Sequence, residues 1–201
     1  MDRAGEALIH LIRSDPWRLS ALRCLRDVAG VEAWIAAGFV RNLVWDRLQG
    51  LDAAPLDDVD VLTWWPDDTG REAEIAVEWA LHRRLPDVPW SVRNQARMHL
   101  RNGDDAYSDL ADAMAHWLET ATGVAVCLDA DGCLQLLAAY GLDDLMGGVL
   151  RPTSTGAMRR SQLDERIERK GWLRRWPHVK LENRAAPAYA GQALEITECR
   201  D

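Results

Sequence analysis

The chain has 201 residues, 48% of them hydrophobic and 28% charged, with a formal net charge of −8. This length allows one domain with a sizeable core, and the balance is that of an ordinary globular protein. The acidic excess argues against a protein that grips long stretches of nucleic acid, which needs a basic stripe to displace counterions; one RNA end or a nucleotide stays within reach.

Residues Ala7 to Ile12 read as a short amphipathic helix. A second helix starts cleanly in "SDPWRLSALRCLRDVAG", with Ser14 or Asp15 as cap, Pro16 at the first helical position and Gly30 as its end. "EAWIAAG" predicts a short buried strand, and "FVRNLVWDRLQG" a helix with Val40, Leu43, Val44 and Leu48 on one face. "DVDVLTWW" is a strand entered by acidic residues, and "REAEIAVEWALHRRL" an amphipathic helix. "PWSVRNQARMHL" reads as extended and "DLADAMAHWLETA" as a helix, while "GVAVCLDADGCLQLLAAY" is a hairpin turning at Asp131-Gly132. A short helix in "GLDDLMGGV" and a long charged helix over "AMRRSQLDERIERKGWLRRW" follow. The organisation expected is one domain over 1–182: helices in 1–30, a sheet core in 31–140 and a helical part in 141–182. Residues 183–201 lose periodicity and read as a loose tail. The fold class is α/β (α+β), a mixed sheet with packed helices.

Cys24, Cys127, Cys133 and Cys199 show no CxxC spacing. Free thiols are expected, with a Cys127–Cys133 disulfide as the alternative. No basic-then-apolar leader pattern and no apolar run of membrane-spanning length is present, so a cytoplasmic location is expected. Lys170 and Lys180 are the only lysines. A compositional bias toward arginine explains this, although arginine also suits forked recognition of phosphate.

The chemistry lies in two segments. Strand side chains alternate faces, so Asp58 and Asp60 in "PLDDVDVL" point the same way, roughly 6.5–7 Å apart. Such a pair is an oxygen-ligand platform for Mg²⁺ or Mn²⁺; the plain alternative is a polar strand entry. One element earlier, the join at Gly38 starts a helix whose free N–H groups and positive dipole end suit a phosphate, with Arg41 and Asn42 in its first turn.

"AGFVRN", "PLDDVDVL", "WSVRNQARMH", "YGLDDLMGG" and "RIERKGW" together resemble an uncharacterised bacterial nucleotidyltransferase family of the DNA polymerase beta superfamily, domain-of-unknown-function group 925. The resemblance implies a nucleotidyltransferase fold and metal-assisted transfer of a nucleotide from an NTP to an acceptor, here unidentified. It places Gly38, Arg41 and Asn42 at the phosphate turn and Asp58 and Asp60 as metal ligands. The superfamily commonly adds a third carboxylate on a neighbouring strand, but Trp90 to His99 contains no Asp or Glu. Ser91 would take its place, Arg93, Gln95 and Arg97 would face the nucleotide, and His99 is a candidate base; an edge strand with a solvated face is the alternative. Asp143 and Asp144 read as helix-capping residues, with a role in the site as the alternative the resemblance leaves open; Trp64 and Trp65 read as core or packing residues, with a surface on which a base could stack as the alternative. Two readings of other classes stand beside the enzyme: a nucleotide-binding module without turnover, and a protein-interaction domain that uses the long charged helix and exposed tryptophans.

Overall fold

Capping sets both ends of the second helix. In the computed structural model, which describes residues 3–199, α1 spans Arg3–Arg13 and α2 Pro16–Ala29. The Asp15 carboxylate accepts the Arg18 N–H at 3.0 Å, and Gly30 ends α2 at φ 79°. The chain continues through β1 (Trp34–Ala36), α3 (Gly38–Leu48), β2 (Val59–Thr63), α4 (Glu72–Arg84) and β3 (Trp90–Asn94). Short helices α5 (Met98–Asn102) and α6 (Leu110–Ala115) precede the hairpin of β4 (Val124–Leu128) and β5 (Leu134–Ala138). Then come α7 (Asp143–Met146), β6 (Val149–Leu150), α8 (Ser154–Met158), α9 (Arg160–Lys170), α10 (Trp172–Arg175), β7 (Lys180–Leu181) and β8 (Leu194–Glu198).

Six strands form the main sheet in the order β3-β2-β1-β4-β5-β8. Within this sheet only β2 and β3 pair in parallel among the described strands, α4 making the crossover, so it is mixed as its pattern predicted; β6 and β7 form a separate parallel pair. The two faces have different cores. Ile35, Val61, Val92, Val126 and Leu136 join Leu8, Leu22, Val44 and Leu81 of α1 to α4. Ala36, Leu62, Ala125 and Leu137 pack instead against Leu110 and Met114 of α6. At the free edge of β3, the Val92 and Asn94 N–H groups donate to carboxylates of α4, Glu78 at 2.9 Å and Glu74 at 2.7 Å. These contacts satisfy donors that would otherwise be an open pairing edge.

Several expectations are corrected. The extended segment ends at Asn94, not His99: the Asn94 side chain accepts the Ala96 N–H at 3.1 Å and turns the chain into a 3-10 turn at Gln95–Arg97. The helix of "DLADAMAHWLETA" stops at Ala115, because Glu119 and Thr120 pair instead with Pro152 and Arg151. The long charged helix is three pieces, broken at Arg159 and at Gly171, whose φ of 62° no helix interior adopts. The segment read as a loose tail includes β8, paired with β5 over Leu194–Glu198, where Leu194 and Ile196 alternate with Glu195 and Thr197. Cys133 is bonded to Cys199, since both lie one step beyond the Leu134–Glu198 pair of that register; Cys24 and Cys127 are the free thiols. Among the described residues no helix is long and apolar enough to cross a membrane.

Candidate active site

The antiparallel pairing of β1 with β2 sets Trp34 against Leu62 and Ile35 against Val61. That register carries the Gly38 end of β1 toward the Asp58 end of β2. A cavity of about 280 Å³ opens there, lined by Gly38, Arg41 and Asn42 on one side and by Asp57, Asp58 and Asp60 on another. The third wall comes from the C-terminal helices: Arg166 and Lys170 of α9, and Trp172 and Arg175 of α10.

Ala37 makes the turn into α3 at φ 57° and ψ −122°, a conformation that L-residues rarely adopt. Its carbonyl accepts the Arg41 N–H at 2.9 Å, so the helix begins at once and Gly38 stands at its first position. The Gly38 and Phe39 N–H groups have no partner within the helix, while the Val40 N–H reaches the Ala37 carbonyl at 3.1 Å. Gly38 has room around it: an added Cβ would lie 3.7 Å from the Arg41 and Asn42 side chains.

Arg41 is 5% exposed. Its Nη1 donates to Thr122 Oγ1 at 3.0 Å and its Nη2 to Asn42 Oδ1 at 2.8 Å, while buried Nε has no hydrogen-bond partner. The guanidinium lies 4.2 Å from the centroid of the Trp172 ring. Burial pushes it down to about 10, against the pull of Glu119, Asp60 and Asp58, and it stays a cation at neutral pH. Asp60 is partly buried, and burial first, then the neighbouring Asp58, push its carboxyl up to about 6; Arg166, Arg41 and Lys170 oppose this. A divalent cation between the two carboxylates would relieve both effects, and the donors are hard oxygens of the kind Mg²⁺ prefers. Among the described residues no group of three or more His, Cys, Asp or Glu that could hold a metal ion is assembled. The pair therefore fits an ion that completes its shell with water and phosphate oxygens.

The C-terminal wall is tied down by charge. Lys170 donates to Asp57 at 3.0 Å across the cavity mouth. Arg175 donates twice to Asp46 of α3, at 3.0 and 2.8 Å, and Trp176 Nε1 adds a third bond to the same oxygen at 2.7 Å. Asp46 is 4% exposed, so it acts as a buried anchor between α3 and α10.

Of the residues named from sequence, Gly38, Arg41, Asn42, Asp58 and Asp60 meet in this cavity. Arg93, Gln95, Arg97 and His99 are not on its wall. Arg93 lies 3.5 Å from Glu78, and Arg97 pairs with buried Glu74 at 2.6 Å. Gln95 bonds the Arg93 carbonyl at 3.3 Å, and His99 Nδ1 sits 2.9 Å from the Ala96 carbonyl. Gln95, Arg97 and His99 are engaged in local structure because the chain leaves the strand at Asn94, whereas Arg93 is still within β3 and turns to Glu78 of α4. Ser91 is the register partner of Asp60, the position expected for it. Asp144 accepts from Thr120 at 2.7 Å and Arg151 at 2.9 Å; it does not cap α7. Trp64 packs in the second core and Trp65 bonds to Asn94, both beyond the opposite end of β2. Arg166, Arg175 and the buried Glu119 were missed. The four-residue spacing of Arg166 and Lys170 was the available signal, since it puts both on one helix face.

A family description, Nucleotidyltransferase, matches residues 24–181. Among solved structures, one obtained by NMR and described as revealing a CCA-adding enzyme head domain is 26% identical, with a TM-score of 0.75, covering 89% of this chain and 96% of that one. The Thermotoga maritima CCA-adding enzyme complexed with tRNA is 19% identical at a TM-score of 0.56, covering 89% of this chain and 42% of its own. A CCA-adding enzyme with CTP is 18% identical at 0.55, covering 89% and 43%. The chain thus spans less than half of those two enzymes, and the likeness to them is one of fold. No curated protein matches the sequence.

Proposed function

The chain belongs to the nucleotidyltransferase family, and from that premise we propose that it transfers a nucleotide from an NTP to an acceptor hydroxyl in a metal-dependent reaction. One observation carries the reading: the Asp58–Asp60 pair, the Gly38 helix start and the cations Arg41, Arg166 and Lys170 share one cavity. The helix start and the three cations hold the triphosphate and balance its charge. Asp58 and Asp60 hold Mg²⁺ or Mn²⁺, which when bound offsets charge on the phosphates as pyrophosphate leaves. Lys170, now on Asp57, has a second anion within its reach once a phosphate enters. Among the described residues lining the cavity, the carboxylates are Asp57, Asp58 and Asp60, and there is no histidine.

The acceptor belongs to the proposal as well. The relatives in fold include enzymes with CTP and with tRNA, which makes CTP and an RNA 3′ end the first substrates to try. Placement in the uncharacterised group 925 and a cytoplasmic location, where nucleoside triphosphates are held, are parts of the same reading. A nucleotide-binding module without turnover is the second reading, favoured by Ser91 at the place where the superfamily often has a carboxylate. The interaction-domain reading keeps exposed Trp17 and Trp79 but loses its long helix, which is divided, and Trp45, Trp90, Trp172 and Trp176, which are buried.

The test is calorimetric titration of each NTP with and without Mg²⁺, alongside folded Asp58→Asn and Asp60→Asn variants. Metal-dependent binding abolished by both substitutions supports the site, and pyrophosphate release with any acceptor then removes the inactive-module reading. Absence of binding at millimolar NTP would sink the proposal.

A further inference from the structure

Behind the cavity wall, two of its cations converge on one buried carboxylate. Glu119 is 1% exposed and lies in the segment that leads into β4. Its Oε1 accepts the Thr122 hydroxyl at 2.6 Å and the Arg166 Nε–H at 3.3 Å. Thr122 Oγ1 in turn accepts from Arg41 Nη1 at 3.0 Å. A hydroxyl has one proton to donate, so its direction here is fixed at both ends. The result is a continuous chain, Arg166–Glu119–Thr122–Arg41–Asn42, whose two arginines line the cavity while Glu119 and Thr122 do not. Both guanidiniums also lie over the Trp172 ring, Arg41 at 4.2 Å and Arg166 at 5.3 Å from its centroid.

A carboxylate in this position has two opposed effects on an anion in the cavity. Its charge subtracts from the positive potential of the wall, which weakens attraction. Its hydrogen bonds hold the arginines in one orientation, which lowers the cost of ordering them when a phosphate arrives. Glu119 Oε2 and Arg41 Nε are both buried without a hydrogen-bond partner, so the network is held at some cost in desolvation. Both arginines nevertheless contribute to the cavity wall.

We propose that Glu119 is a positioning residue for the triphosphate: through Thr122 and Arg166 it aims the two arginines at the anion, and the cavity thereby favours a nucleoside triphosphate over a monophosphate. This inference rests on the nucleotide-transfer reading above. The probes are ATP, CTP and their monophosphates, titrated with Mg²⁺ into the wild-type chain and into Glu119→Gln, Thr122→Val and Thr122→Ser. Losing the orientation weakens triphosphate binding by about tenfold in Glu119→Gln and Thr122→Val, and the triphosphate-to-monophosphate affinity ratio falls with it. Thr122→Ser keeps the hydroxyl and keeps the ratio. General loosening of the fold would lower both affinities together and leave the ratio unchanged. An unchanged or higher ratio in the folded variants overturns the inference, a higher one being what charge alone would give. If Glu119→Gln does not fold, Thr122→Val decides alone, since it cuts the chain at a neutral side chain and leaves the Arg166–Glu119 pair in place. A wild-type chain that binds no triphosphate overturns the nucleotide reading and this inference with it, whereas wild-type binding with an unmoved ratio overturns this inference only.

Discussion

Ser91 lies directly beside Asp60: β3 runs parallel to β2 with these two residues as register partners. Neighbouring strands are about 4.8 Å apart, so a carboxylate at position 91 would join the Asp58–Asp60 pair as a third acid. The variant Ser91→Asp is expected to lose on the order of 1–3 kcal/mol of stability without metal, through like-charge repulsion. Mg²⁺ is expected to raise its melting temperature more than that of the wild type. Equal responses to Mg²⁺ in the two chains would mean that position 91 does not face the metal.

Asp60→Asn removes one of two close carboxylates from a partly buried wall. Without metal, the variant is expected to be more stable than the wild type by on the order of 1 kcal/mol. Its melting temperature should no longer respond to Mg²⁺. Thermal unfolding with and without the ion reads both effects, and a destabilised variant would show that Asp60 is needed for packing.

Glu74 ties α4 to β3. Burial alone would push its carboxyl up, but the bonds from Arg97 and from the Asn94 N–H hold it below its ordinary value. Because the folded form binds its proton less readily than the unfolded form, the stabilisation is fully present above about pH 4.3 and is lost as pH falls through the lowered value. Glu74→Gln should flatten that part of the stability profile. At pH 7, Glu74→Ala is expected to cost about 3–5 kcal/mol, because it leaves Arg97 and a strand N–H without their partner. Denaturant unfolding at pH 3 and pH 7 measures both; an unaltered acid limb for Glu74→Gln would contradict the linkage.

Gly156 sits where α8 passes the Leu118 carbonyl. A Cβ at this position would fall far inside contact with that oxygen and its carbon, which are backbone atoms and cannot swing away. Gly156→Ala is therefore expected to destabilise the chain by about 3 kcal/mol or more. Gly30→Ala serves as the comparison: a Cβ there meets nothing within 4 Å, and only the cost of φ 79° remains. Similar melting temperatures for the two variants would show that α8 shifts easily.

The acidic half of the site was legible because it is local. Alternation along β2 fixes the shared direction of Asp58 and Asp60, and a glycine at a strand-to-helix join marks where N–H groups are free. The misplacement of Gln95, Arg97 and His99 came from extending that alternation past Asn94, a residue whose side chain can end a strand by binding its own neighbours; Arg93 keeps its place in β3 and is drawn to Glu78 instead. Arg166 and Glu119 depend on contacts between distant segments, 47 positions apart in the chain, which no periodicity reports. Trp172 shows the same limit: its residue type and helical context suggest core packing, and its burial agrees, yet it also carries the two arginines of the wall. β8 was readable in principle from the alternation of "LEITE", but the alanine-rich approach "RAAPAYAGQ", which has no periodicity, masked it.

The bond between Cys133 and Cys199 closes a covalent ring, with 66 positions between its ends. Arg166, Lys170, Trp172 and Arg175 are carried on that ring, while Gly38, Arg41, Asp58 and Asp60 belong to the open chain before it. The two halves of the site thus differ in topology. A single backbone cut between β2 and β3 divides the molecule into two pieces, whereas one cut inside the ring leaves every residue covalently attached. Under oxidising conditions the cationic wall would survive nicking that the acidic wall would not, and a reductant would make the halves equally vulnerable.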